Sequence, residues 1–201
     1  GEDREDLQTW LAQRAPGLKI WQTEWTEMRQ GRDTGMQGAL SLANTVHEDF
    51  VLGQASSWQY WIAVSKYDYA DGLVYVDTAD RTHESTKRLW ALGNWSRFVM
   101  PGAVRVQADV PADARLRVSA FRNPDGSLIV VVINGDSVDS PAISLALDSH
   151  AHKTGSTPAP LTPLERWETS ASRDLARVLP HDAGTMTFPA ESITTLVLVD
   201  Q

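Results

Sequence analysis

The stretch LKIWQTEW (residues 18–25) determines how the first half of the chain is interpreted. It is apolar and aromatic enough for a β-strand, and alternation along a strand puts Leu18, Ile20, Gln22 and Glu24 on one face. An acid therefore ends an otherwise mostly apolar row. From the strand alone, two explanations of Glu24 stay open. It is either a structural residue that reaches solvent or pairs with Arg29 or Arg32, or a catalytic carboxylate.

Helical and extended patterns alternate around this strand. Apolar residues at helical spacing from Leu7 predict a helix that ends at Pro16-Gly17, because proline disfavours helix before it and glycine permits a reversing turn. A second helical stripe covers residues 36–50, and SSWQYWIAV (56–64) predicts a buried strand. A third helix is predicted near residues 84–99. Two strand-helix cycles with a leading helix are too few to close a barrel.

The pattern changes after Gly102 to seven short β-rich runs separated by turn residues. RNPDGS (122–127) predicts a hairpin turn, because Pro124 presets one backbone dihedral and Gly126 accepts a positive one. The runs predict a small antiparallel β-sandwich, so we expect two domains, residues 1–101 and residues 102–201. The runs are AVRVQA, LRVSAFR, SLIVVVIN, ISLAL, LERWETS, GTMTFPA and SITTLVLV.

Composition excludes several classes of function. The net charge of -8 disfavours nucleic acid and anionic membrane surfaces as partners. The chain has no cysteine for a disulfide or a zinc site, and no apolar run reaches the length of a membrane span. His150 and His152 lack a third ligand nearby in sequence, so we predict neither a metal nor a cofactor. The chain begins at Gly1 inside an acidic helical pattern, which suggests that it is a C-terminal piece.

The order of these patterns resembles the C-terminal part of glycoside hydrolase family 30. The segments that carry the resemblance are WQTEW, WQYWIAVSK, ESTKRLWALGNWSRFVMPGAVRV and the final FPAESITTLVLV. The resemblance implies the C-terminal part of a (β/α)8 TIM barrel, an α/β fold, fused to an all-β antiparallel sandwich. It also implies that Glu24, at the end of the barrel's seventh strand, is the nucleophile of a retaining glycosidase. The family's acid/base glutamate has no counterpart in this sequence, so the resemblance implies a partner, the N-terminal remainder of the barrel.

Aromatic residues form a second group of candidates, because the C–H faces of sugar rings pack on aromatic planes. Alternation puts Trp58 and Tyr60 on one face of the strand and Trp61 on the other, so one face is expected to be ordinary core. The resemblance makes Trp58 or Trp61 the floor of a sugar subsite. Tyr67 and Tyr69 follow in a loop that would lie over the barrel mouth, where they would contact substrate or pack within the loop.

We therefore expect the C-terminal part of a secreted endo-β-glycanase that hydrolyses β-linked polysaccharide of the β-1,6-galactan, xylan or β-1,6-glucan type. The alternative from another class is a non-catalytic carbohydrate-binding or structural module centred on the sandwich. The acid-bearing strand and the helix-strand cycles favour the enzyme. Glu27 is a rival carboxylate, which we expect to be solvated in a polar loop.

Overall fold

The computed structural model of the chain describes residues 2–147, 159–160, 163–179 and 185–198. It divides into two compact units, Gly1–Gly93 and Asn94–Gln201. The division falls within the third helix. The two units are described separately below.

The first unit begins with two helices that alternate with two strands, and a small sheet follows. In chain order its elements are α1 (Glu2–Arg14), β1 (Ile20–Trp25), α2 (Met36–Val51), β2 (Ala55–Tyr60), β3 (Val64–Ser65), β4 (Val74–Asp77), β5 (Thr82–Ser85) and the first part of α3 (Lys87–Ser96). Strands β1 and β2 are parallel neighbours, joined through α2. This is the strand-helix-strand arrangement from which (β/α)8 barrels are built. The turn after α1 passes through Gly17 with φ of +88°, as its sequence predicts.

Helix α2 is the best-packed element of this unit. Its buried residues recur at helical spacing on one side. They are Gly38, Ala39, Leu42, Ala43, Val46 and Asp49. The small residues at the start of this stripe leave room for a large side chain, which proves to be Arg88.

Strands β3, β4 and β5 form a separate three-stranded sheet in which β3 and β4 are parallel and β4 and β5 antiparallel. The sequence did not predict this sheet. Its strands are only two to four residues long, and β5 (Thr82–Ser85) is exposed along its whole length. Short polar strands carry almost no periodic signal, and the predicted third helix accordingly begins at Lys87 instead of residue 84.

The second unit is built on one six-stranded antiparallel sheet. The strands of this unit, six in the large sheet and two in a separate pair, are β6 (Val104–Val106), β7 (Arg117–Arg122), β8 (Leu128–Asn134), β9 (Ala146–Leu147), β10 (Ala159–Pro160), β11 (Glu165–Ser170), β12 (Arg173–Val178) and β13 (Ser192–Leu198). The order in the large sheet is β12-β11-β13-β8-β7-β6, and β9 pairs with β10. The hairpin between β7 and β8 turns at Gly126, whose φ is +88°.

Both faces of the central strand β8 are buried, so the sheet is a middle layer. On one face Leu128, Val130 and Val132 pack with Phe188 and Leu196 in the main apolar core. Side chains from the segments around residues 106–116, 143–145 and 186 cover that core. On the other face, Asn94 and Trp95 of α3 bind the sheet through hydrogen bonds to Thr169, Thr195 and Ser119.

The predicted fold class is confirmed in both parts: parallel strands joined through a helix, as in a (β/α)8 barrel, and an all-β antiparallel structure. Two of the seven predicted runs form little regular strand. These two runs are ISLAL (143–147) and GTMTFPA (184–190). They pair mainly through one β-bridge, between Ile143 and Met186. Strand β12 (RDLARV) was not predicted, because it contains three charged residues and only one β-branched residue.

Candidate active site

Glu24 lies at the C-terminal end of β1, beside the end of β2. The pairing of the two strands shifts between Gln22 and Trp25, so that Thr23 and Glu24 together lie opposite the single residue Gln59. Such a bulge re-aims the side chains that follow it. The burial pattern shows the effect, because Glu24 is exposed like Thr23, whereas Gln22 and Trp25 are half-buried. Simple alternation, which placed Glu24 in the row of Ile20 and Gln22, does not hold at this strand end.

The carboxylate of Glu24 has no hydrogen bond or ion pair within the described residues. The two arginines nearest in sequence, Arg29 and Arg32, bind other groups. Arg29 donates to Glu27 at 3.2 Å and to Asp33 at 3.1 Å. Arg32 donates to backbone carbonyls, among them that of Tyr67 at 3.2 Å. The simple ion-pair explanation for Glu24 is therefore not what the structure shows.

Glu27 is not solvated, contrary to the expectation from its polar loop. Its side chain is half-buried and accepts a hydrogen bond from the Ser41 hydroxyl of α2 at 2.7 Å. Its other oxygen accepts from the guanidinium of Arg88 at 2.6 Å. The loop that follows β1 is thus joined to α2 and α3 through one carboxylate.

Arg88 is the centre of this ion-pair network. Its side chain is fully buried, and besides Glu27 it contacts the Asp33 carboxylate at 3.1 Å and donates to the Asp33 backbone carbonyl at 2.9 Å. Gly38 makes room for it, because a Cβ there would lie 2.6 Å from the Asp33 carboxylate and still closer to the guanidinium. A buried arginine is stable only when it is paired in this way.

The network also determines the protonation of Glu27. Burial by itself would raise the pKa of the Glu27 carboxyl, but the Ser41 hydrogen bond and the charge of Arg88 outweigh it and hold the pKa below its ordinary value. Glu27 is therefore a structural anion, with both oxygens already hydrogen-bonded. An exposed carboxylate without such partners, as at Glu24, is the better candidate for contact with a ligand.

The loops that follow β1 and β2 are bonded to each other. Gln30 and Tyr69 form a β-bridge, and the Gly31 amide donates to the Asp68 carbonyl at 3.0 Å. The Ala70 amide donates to the carbonyl of Arg29 at 2.8 Å. These bonds fix both loops at the strand ends where Glu24 lies.

Trp58 and Tyr60 lie in an aromatic cluster with Trp25. The ring centroids of Trp25 and Trp58 are 6.1 Å apart, and those of Trp25 and Tyr60 are 5.9 Å apart. The Trp58 indole donates at 2.8 Å to Asp49 of α2, which Arg4 of α1 also contacts. Burial raises the pKa of the Tyr60 hydroxyl well above its ordinary value. Trp58 thus belongs to the packing between the strands and α2, and Tyr60 packs against Trp58 and Trp25.

Trp61, Tyr67 and Tyr69 are exposed, with Trp61 half accessible to solvent. The Trp61 amide donates to the Trp25 carbonyl at 3.0 Å, which places its backbone beside the residue that follows Glu24. The Tyr69 carbonyl accepts a hydrogen bond from the hydroxyl of buried Tyr75 at 2.7 Å, which fixes this part of the loop to β4. The candidates thus divide into an inner pair, Trp58 and Tyr60, and an exposed group of three.

Sequence reasoning missed Arg88, Asp33 and Asp49 as residues that support this region. Arg88 sits at the start of a helix, where an arginine is usually solvated, and no spacing in the sequence marks it as buried. The one signal in the sequence was Gly38. Glycine destabilises the interior of a helix, so its presence there indicates that another group packs close to the backbone.

Within the described ranges, no three His, Cys, Asp or Glu side chains are grouped so that they could hold a metal ion. His150 and His152 lie outside those ranges. None of the helices in the described part of the chain is both long and apolar enough to span a bilayer.

Two family models match the chain. O-Glycosyl hydrolase family 30 matches residues 2–75, and the glycosyl hydrolase family 30 beta sandwich domain matches residues 102–196.

Individual relatives agree with these matches. The glucuronoxylanase XynC of Bacillus subtilis is 23% identical over 194 residues, which are 92% of this chain and 41% of that protein. The catalytic domain of GH30 xylanase C from Talaromyces cellulolyticus superposes with a TM-score of 0.75 at 26% identity, covering 92% of this chain and 42% of the other. A conserved exported protein from Bacteroides fragilis superposes with a TM-score of 0.74 at 20% identity, covering 98% and 42%. The chain thus spans less than half the length of each of these proteins.

Proposed function

This chain belongs to glycoside hydrolase family 30, and from that premise we propose that it supplies the nucleophile of a retaining endo-β-glycanase. The observation that carries the proposal is the position of Glu24. It is an exposed carboxylate, free of ion pairs within the described residues, at the C-terminal end of a parallel strand. The C-terminal face is where barrels of this architecture carry their catalytic groups.

The chemistry proposed is a double displacement. The Glu24 carboxylate attacks the anomeric carbon of the sugar, while a second carboxylic acid protonates the departing glycosidic oxygen. Water, deprotonated by that second group, then attacks the same carbon and releases Glu24. Retention requires the two carboxyl groups to be roughly 5 to 5.5 Å apart. In this proposal the second group is the family's acid/base glutamate, on the N-terminal remainder of the barrel, which is either the same gene product or a separate chain.

The substrate proposed is a β-linked polysaccharide, with xylan first, then β-1,6-galactan and β-1,6-glucan. The names of two relatives support xylan, since one is a glucuronoxylanase and the other a xylanase. Exposed Trp61 is the better candidate for the sugar platform, because the Trp58 indole is already bound to Asp49. Polymers of this kind lie outside cells. We therefore propose that the protein is secreted, which agrees with the exported relative.

The test is Glu24→Gln in the complete protein, that is, this chain together with the rest of its barrel. The amide is nearly isosteric but cannot form the glycosyl-enzyme bond, so hydrolysis of xylan should fall at least a thousandfold, with thermal stability and glycan binding retained. Product analysis on a panel of β-glycans identifies the linkage.

The matched control is Glu84→Gln, a second exposed glutamate, on β5. It should leave the rate unchanged. If Glu24→Gln keeps most of its activity, or if the two substitutions act equally, Glu24 is not the nucleophile.

The alternative, a carbohydrate-binding module, has less support. Among the described residues of the second unit, the large exposed hydrophobic side chains are Met100, Val104, Val138, Leu164 and Leu179, none of them aromatic. The ring of Trp167 is covered by the guanidinium of Arg97, 4.0 Å from its centroid. In the described part of this unit, no large aromatic side chain is exposed as a platform for sugar.

A further inference from the structure

A cleft in the second unit contains a buried, incompletely paired arginine. The cleft has a volume of about 560 Å³ and lies between the β11–β12 end of the sheet and the segment around Pro189. Arg166 of β11 forms part of its lining and is buried. The proposed catalytic reaction uses none of these residues.

The guanidinium of Arg166 has fewer partners than burial requires. One nitrogen donates to the Thr187 carbonyl at 3.0 Å, but Nε and Nη1 have no hydrogen-bond partner. The ring of Phe188 lies 5.3 Å from the guanidinium carbon. Burying a charged donor without a partner is unfavourable, so native proteins generally supply one.

The neighbouring carboxylate is only loosely paired with Arg166. Glu168 is buried beside it, but their closest oxygen and nitrogen are 3.8 Å apart, whereas Glu168 accepts from Arg173 at 2.7 Å. Burial lowers the pKa of Arg166, and the charge of Glu168 only partly opposes this. One glutamate is therefore shared between two arginines.

Arginines outnumber carboxylates among the residues that line the cleft. Three arginines (Arg166, Arg173 and Arg177) face two carboxylates (Asp139 and Glu168). Asp139 is already engaged, because it accepts from the Ala190 amide at 2.9 Å. Arg177 contacts Glu165 at 3.1 Å, in a partly exposed pair that contributes little. Arg177 is thus balanced by Glu165, and Arg166 is the arginine of the lining whose donors stay incompletely paired.

We propose that this cleft binds a carboxylate ligand, held between Arg166 on the floor and Arg173 and Arg177 at the rim. A carboxylate would supply acceptors where the Arg166 guanidinium is incompletely paired. The planar carboxylate also matches the donor geometry of guanidinium groups.

The size of the cleft suggests the kind of molecule that carries the carboxylate. About 560 Å³ lies within the range of small-molecule sites and exceeds the needs of a bare carboxylate. Val178 and Pro189 add apolar wall. A sugar acid fits these dimensions, and so does a free organic acid with a comparable body. This inference does not depend on the proposed hydrolase activity.

The experiment is isothermal titration calorimetry of the complete protein with D-galacturonate, D-galactose, acetate and sulfate. We expect the uronate to bind and the neutral sugar not to bind. If acetate binds as tightly as the uronate, the sugar ring contributes nothing and the ligand is a free carboxylate. If the uronate binds at least tenfold more tightly, a sugar acid is the source. Equal binding of galactose and galacturonate, or tighter binding of sulfate, would overturn the proposal.

Variants locate the binding. Arg173→Gln removes an exposed rim group and should weaken uronate binding at least tenfold without unfolding the protein. Arg166→Met removes the buried guanidinium, and the folded variant should not bind uronate. The matched control is Arg105→Gln, an exposed arginine on β6 outside the lining, which should bind normally. Uronate affinity that is undetectable in the wild type, or unchanged in Arg173→Gln, contradicts the site.

Discussion

Trp58 and Trp61 are three positions apart and have different surroundings, which allows their roles to be separated. Trp58→Phe removes the indole donor to Asp49, a hydrogen bond to a charged acceptor, so the free energy of unfolding should fall by about 1.5 to 3 kcal/mol with KM unchanged. Trp61→Ala removes an exposed ring, so stability should hold while KM rises about five- to tenfold.

The comparison is made in the complete protein by urea unfolding and by steady-state kinetics on xylan. Each variant serves as the control for the other. A higher KM for Trp58→Phe at unchanged stability would show that Trp58, and not Trp61, forms the sugar platform.

The Glu27–Arg88 pair connects the loop after β1 to α3, and it makes stability depend on pH. The pKa of Glu27 is lower in the folded protein than its ordinary value of 4.5. The stabilisation is therefore present above about pH 4.5 and is lost as pH falls through the lower folded-state value. Glu27→Gln should destabilise by about 2 to 4 kcal/mol at pH 7, because Arg88 stays buried without its full partner.

This prediction is checked by urea unfolding of wild type and Glu27→Gln at pH 7 and at pH 3.5. The difference between the two proteins should shrink at the lower pH. Glu84→Gln, on an exposed strand, is the control and should change stability by less than about 0.5 kcal/mol at either pH. A difference that is constant with pH would mean that the Glu27 charge does not contribute.

The elements that the sequence predicted well are those with a long periodic signal. The stripe in α2 and the continuous apolar run of β8 each follow one period over many residues. The bulge at Thr23 and Glu24 could not be predicted, because a register shift depends on the partner strand. The same holds for Arg88, whose burial depends on Asp33 and Glu27, far away in the sequence. Glu24, the proposed nucleophile, could therefore be picked out as a candidate from the sequence, but the ion pairs of Arg88 could not.

At the level of the whole molecule, the first unit exposes several large apolar side chains. Leu18 and Trp21 are 69% and 62% exposed, and Trp10 of α1 is 56% exposed. In the described part of the chain β1 and β2 pair only with each other, so each presents a free edge. Free edges and large apolar patches on soluble proteins are normally covered. We propose that the N-terminal remainder of the barrel covers them.

Residues 1–201 expressed alone should therefore self-associate and fail to hydrolyse glycans. Association follows from the open β1 edge and the exposed Leu18 and Trp21, and inactivity follows because Glu24 lacks the second carboxyl group that double displacement requires. The measurements are size-exclusion chromatography with light scattering, and sugar release from xylan, with the complete protein as the positive control. Leu18→Ser with Trp21→Ser should reduce association, whereas Leu164→Ser, an equally exposed leucine of the second unit, should not. A monomer that hydrolyses xylan would show that these residues already form a whole active site.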